Sequence, residues 1–170
     1  MGTKTARRTE QDLLGVYLND HLAGATVGVG LVRRMAASAE SGSETAAVVK
    51  PLVSEITADR SALVTMMAAA GVKIRSYKVL AAWAGEKAGR LKLNGHLLSR
   101  SPLSALEETE MLRLGVEGKA AGWRTLQVVA QRDPRLDAGQ LDELLARATR
   151  QSDTLESLRV SIAEQVLRGR

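Results

Sequence analysis

Four side chains able to ligate a metal or carry protons, His21, Glu55, Asp59 and Glu117, fall near the middle of long apolar repeats. An imidazole and carboxylates gathered at one level could hold a single iron, manganese or zinc ion, since mixed nitrogen and oxygen donors suit these metals. They could equally close into a hydrogen-bonded His–Asp pair, with Arg60 or Arg124 as counter-charge, that fixes the register of the helices carrying them. If they meet inside the protein, one of these arrangements has to hold, because an isolated buried charge is prohibitively costly.

The elements that must position them are long amphipathic helices. In the first, expected over about Thr9 to Ala39, the residues Leu14, Leu18, His21, Ala25, Gly28, Val32 and Met35 recur at spacings of three and four, one face of a helix. Gly15, Gly24, Gly28 and Gly30 each cost roughly 1 kcal/mol relative to Ala within it, which implies close packing against a neighbouring backbone or a local irregularity. Residues 1–8 carry no apolar period and read as a flexible tail.

A break at Ser38–Ser43 separates this helix from a second, about Glu44 to Ala70, with Gly71 as its left-handed cap. Its stripe is Val49, Leu52, Ile56, Asp59, Leu63, Met66 and Ala70, and Pro51 could delay its start. A third long helix begins either at Ser101-Pro102 or, by the capping-box pattern Ser104 to Glu107, one turn later. Two stripes compete to face inward on it. One is Glu110, Leu114, Glu117, Ala121, Arg124 and Val128; the other is Met111, Leu114, Gly118, Ala121, Thr125 and Val128. The fourth helix has the clearest start, Asp137 as N-cap with Leu136 against Leu141 as a hydrophobic staple, and a stripe running Leu141, Leu144, Ala148, Gln151, Leu155, Leu158, Ile162 and Val166.

Composition agrees with an all-α fold. The 170 residues include no Phe and only 2% aromatics, and the apolar content is mostly Ala, Leu, Val and Met, small aliphatics that suit helices better than strands. One domain spanning residues 9–168 is expected. The absence of Cys excludes disulfides and thiolate zinc sites. No secretory signal or apolar run of about 20 residues is present, so a soluble, cytoplasmic protein is expected. Phosphate-loop, dinucleotide and zincin motifs are lacking too, and nothing presents a nucleophile on a strained turn, which favours an interaction or structural protein over an enzyme.

Short links join helices one and two, and helices three and four, while about 30 residues lie between the pairs. A connection that long can cross the full length of a bundle, so the second and third helices need not be antiparallel neighbours. With two antiparallel pairs, a long crossover and polar groups at mid-bundle, the chain resembles the ferritin-like superfamily over about Thr9 to Leu167. The resemblance implies an up-down four-helix bundle with a short extra helix in its crossover. Di-iron members of that superfamily carry a glutamate on each of two helices and Glu-x-x-His on each of the other two. Here the matching positions read Ile56-x-x-Asp59, Ala148-x-x-Gln151 and Asn19-Asp20-His21, and only Glu117 is of the matching type. The departures imply a bundle without ferroxidase activity, needing no cofactor; the alternative is a mononuclear Fe, Mn or Zn site through His21, Asp59 and Glu117, with Glu55 one turn from Asp59.

The crossover, 72–100, is where the net charge of +5 originates. Lys73, Arg75, Lys78, Lys87, Arg90, Lys92 and Arg100 are opposed there only by Glu86. About Ser76 to Arg90 reads as a short helix with Tyr77, Leu80, Ala84, Ala88 and Leu91 on one face and Trp83 on its flank. Such a segment is either a solvated face or a dock for an anionic partner, nucleic acid or lipid, through Lys73, Arg75, Lys78, Lys87, Arg90 and Lys92. A further apolar stripe on the third helix, Leu112, Val116 and Trp123, exceeds what one seam needs and suggests a homodimer through helix faces.

Overall fold

The computed structural model describes residues 2–75 and 103–168, and in them the chain forms four helices: α1 Gly2–Ser38, α2 Glu44–Ala69, α3 Ser104–Ala130 and α4 Ala138–Leu167. The short helix expected near Ser76–Arg90, with Lys78, Lys87, Arg90 and Lys92, lies outside the described residues. No helix among those described is long and apolar enough to cross a membrane.

Local chemistry sets most of the boundaries. Gly42 supplies the positive φ (83°) of the α1–α2 turn, and the Ser43 hydroxyl then accepts from the Ala46 N–H at 3.1 Å to cap α2. At the other end Gly71 turns left-handed (φ 71°), its N–H donating to the Ala68 carbonyl and that of Val72 to the Met67 carbonyl, a Schellman closure. Asp137 caps α4 by accepting from the Gln140 N–H, and Leu136 and Leu141 are both buried beside it.

Three expectations change. α1 starts at Gly2, ahead of Thr9, because no breaker separates the two and extending a helix is far less costly than nucleating one. Pro51 lies within α2, on its exposed side, and does not delay its start. α3 starts at Ser104 with Leu103 in the cap position making no side-chain cap bond, so the anticipated capping box is not formed.

Contacts between the helices run round a square, α1 with α2 and α3, and α4 with α2 and α3. Each pair is antiparallel. Tyr17 OH donates to Thr125 Oγ1 at 3.0 Å near one end of the α1–α3 seam and Arg34 Nε to Glu108 Oε1 at 3.3 Å near the other. Asp59 faces Arg147, and Glu44 faces Ser161, across α2 and α4. Gln127 bonds Asp142, and Arg113 pairs with Glu156, across α3 and α4. It follows that α2 and α3 run the same way on opposite corners, so the connection between them has to regain the length of the bundle.

The core follows the expected stripes of α2 and α4. Val49, Leu52, Ile56, Asp59, Leu63, Met66 and Ala70 are all buried, as are Leu141, Leu144, Ala148, Gln151, Leu155, Leu158 and Ile162. On α3 neither proposed stripe faces in: Leu114 is 68% exposed and Val128 64%, and Glu117 and Ala121 are also exposed. The buried series is Leu106, Thr109, Leu112, Val116, Ala120, Trp123 and Leu126. The residues set aside for a dimer face, Leu112, Val116 and Trp123, are therefore the core seam of the single chain. On α1 the core side is Leu18, Leu22, Val29, Val32 and Met35, while His21, Ala25 and Gly28 turn toward α3.

Candidate functional site

At mid-bundle the side chain of Asp59, 1% exposed, reaches from α2 into a polar cluster supplied by three helices. Arg147 on α4 donates to Oδ1 through Nε at 2.7 Å and also approaches it through Nη2. Lys119 on α3 donates to Oδ2 at 2.5 Å and also to Gln151 Oε1. The Gln151 amide donates onward to Glu55 at 2.9 Å and to Asp59 at 3.3 Å, so both ends of its carboxamide are used. Removal of its ammonium group from water pushes the Lys119 pKa below its ordinary value, and the adjoining Asp59 carboxylate works against that shift.

The remaining candidate ligands go elsewhere. Glu117 is exposed and accepts a hydrogen bond from Ser152 Oγ. His21 stacks at a tilt on Tyr17, with ring centroids 4.4 Å apart, and packs against Gly122 so closely that a Cβ there would stand 3.0 Å from Nδ1 and Cε1. Partial burial lowers the His21 pKa, opposed by the neighbouring Asp20 carboxylate, so the ring is neutral at neutral pH. Among the described residues no group of three or more His, Cys, Asp or Glu is disposed to hold a metal ion. His21, Asp59 and Glu117 are not brought to one point, and both oxygens of Asp59 already face cations. Of the basic crossover, Lys73 and Arg75 are exposed, and their backbone is gripped by Asn19: its Nδ2 donates to the Lys73 carbonyl at 3.0 Å and its Oδ1 accepts from the Arg75 N–H at 2.6 Å.

Beside the cluster lies a cavity of about 560 Å³ between α1 and α3, with α2 as its floor. Leu31, Leu63, Met111, Val116 and Trp123 are among its apolar lining, while His21, Asp59, Arg60 and Lys119 are polar groups on it. Five glycines frame it, Gly24 and Gly28 from α1 and Gly115, Gly118 and Gly122 from α3. Among the described residues a Cβ added at Gly24, Gly28, Gly115 or Gly118 would meet nothing within 4 Å, and Gly24, Gly115 and Gly118 are exposed. Gly24 and Gly28 of α1 therefore do not serve close packing, whereas a Cβ at Gly15 would stand in ordinary contact with Val72, 3.8 Å away.

Lys119 and Arg147 were not among the residues singled out from sequence, and one signal could have found the first. Lys119 continues the series Leu112, Val116, Trp123, Leu126 at the same three-and-four spacing, so it stands out once that series is taken as the seam. Arg147 gives no comparable sign, since it lies beside the α4 stripe. No protein-family model, curated protein or solved structure matches the chain.

Proposed function

We propose that this chain is a bundle of ferritin-like connectivity that works by binding and not by catalysis, and that the α1–α3 cavity is where it binds. One observation carries the reading: the cavity is lined on both walls by helix-interior glycines, three of them exposed, at which a side chain would meet nothing among the described residues. Each such glycine forgoes roughly 1 kcal/mol of helix stability relative to Ala. Packing does not return that cost at Gly24, Gly28, Gly115 or Gly118, whereas room for a guest would. The volume and the apolar lining with few polar groups are those of small-molecule sites.

The polar cluster supports the binding reading by being closed. The Asp59 carboxylate is held by Lys119, Arg147 and Gln151, an arrangement suited to fixing how α2, α3 and α4 register. A neutral solvatochromic dye such as Nile red tests the site. A saturable, blue-shifted signal at one dye per chain is expected, lost in Gly28→Leu and in Gly118→Leu while circular dichroism stays native. An unsaturable signal, or one that both variants keep, would remove the cavity as the binding site.

A further inference from the structure

We infer that the occupant of the cavity is a single-chain amphiphile with a monoanionic head, a long-chain carboxylate in its simplest form, seated with its chain along the apolar walls and its head at Arg60. The inference rests on the reading of the cavity as a binding site and adds the chemistry of what enters it.

Charge distinguishes this class from a purely apolar guest. Arg60 lines the cavity from α2 and uses Nε to donate to Thr26 Oγ1 on α1 at 3.0 Å. No acidic side chain among the described residues pairs with its guanidinium, which leaves the Nη groups for a planar, two-oxygen acceptor. The neighbouring Asp59 cannot neutralise it, because that carboxylate is already matched by two cations, Lys119 and Arg147. Arg60 is thus the cation on the lining that has no acidic partner among the described residues, and beside apolar walls one negative head group would be favoured there. Asp20, the other carboxylate on the lining, is on the exposed side of α1 and has interactions of its own.

The walls set the other half of the ligand. Leu18, Leu31, Ile56, Leu63, Val116 and Leu126 offer dispersion and burial without hydrogen-bond partners, so an extended polar molecule such as a sugar or peptide would lose its hydration uncompensated. Trp123 is also on the lining; its indole Nε1 is buried with no acceptor among the described residues. An orphan donor of this kind is a further feature that an oxygen-bearing guest would relieve.

Calorimetric titration of the full chain with dodecanoate, below its micellar concentration, and with dodecanol separates the two levels of the inference. Dodecanoate is expected to bind at one per chain, at least tenfold tighter than dodecanol, and to strengthen by about fourfold for each methylene added until the cavity is full. Arg60→Gln should bring dodecanoate down to the affinity of dodecanol and leave dodecanol unchanged, while Gly28→Leu should abolish both. Equal affinity for the two ligands, insensitive to Arg60→Gln but lost in Gly28→Leu, would overturn the anionic class and leave the cavity standing as a binding site. Failure of both to bind a chain that retains its native dichroism would overturn both readings, including the case in which the protein's own residues fill the space. Binding at many per chain, or binding that survives Gly28→Leu, would show surface adsorption and likewise overturn the assignment. A second lining variant, Gly118→Leu, guards against a local defect particular to α1.

Discussion

Across α2 and α4 a buried carboxylate is met by two cations and an amide, whereas across α1 and α3 four glycines line a cavity where a side chain would meet nothing among the described residues. Both seams belong to one bundle and use helices of similar length. The first is polar and saturated; the second is apolar and unfilled. The difference teaches how a bundle can keep a cavity without collapsing around it: the saturated side fixes the register of three helices, so the looser side need not be packed to hold the fold.

Breaking the saturated side should have the largest effect. Asp59→Ala leaves Lys119 and Arg147 without their counter-charge, and about 3–5 kcal/mol of stability should be lost in urea denaturation. Combining Asp59→Leu with Lys119→Met should recover most of it, since an apolar replacement for a buried pair removes the desolvation cost along with the attraction, and Arg147 is 32% exposed and can reach water. A loss below about 1 kcal/mol for Asp59→Ala would mean that the cluster does not anchor the bundle.

Filling the other side should do the opposite. Gly24→Ala and Gly28→Ala meet no neighbour and should each raise stability by about 1 kcal/mol, together moving the thermal midpoint upward by several degrees. Destabilisation by either would mean that α1 and α3 approach each other more closely than the distances indicate. Within the same wall, Gly118→Ala and Gly122→Ala sharpen the contrast. The first should gain about 1 kcal/mol, and the second should gain less or lose stability, because its new methyl must displace the His21 ring. Equal gains at the two positions would show that His21 yields freely.

The smallest effect concerns pH. Burial lowers the His21 pKa, so the unfolded chain takes up a proton before the folded one does, and stability rises with pH through the histidine range. That contribution is complete above the unfolded value of about 6.5 and is lost as pH falls from there through the lower folded value. Thermal midpoints measured from pH 7.5 to 5.0 should therefore decline, with a shallower decline in His21→Gln; parallel curves would show a ring titrating as it does in water.

How much of this was legible depended on whether one face of a helix was distinct. In α2 and α4 the polar residues cluster opposite a single apolar stripe, so the seam, its buried Asp59 and Gln151 and the Asp137 cap could all be read. In α3 apolar residues lie all round: Met111, Leu114 and Val128 are exposed although their spacing matches a core stripe as well as Leu112, Val116 and Trp123 do. Periodicity then fits two faces equally, and Lys119 was hidden by the wrong choice between them. The glycines were ambiguous for another reason, since a missing side chain permits close approach and vacant space alike, and only the neighbouring helix decides which.

Asn19 carries a different kind of consequence. It is fully buried, and its carboxamide joins α1 to the backbone of residues 73 and 75, beyond the end of α2. Arg75 stands outside any helix, in exposed chain where amide protons ordinarily exchange with solvent within seconds. Held by Asn19 Oδ1 at 2.6 Å, its proton is protected while residues 73–75 stay docked on α1. In deuterium-exchange measurements that one amide becomes a timer for the release of the chain leaving α2 from α1, readable apart from the slow amides of the helices.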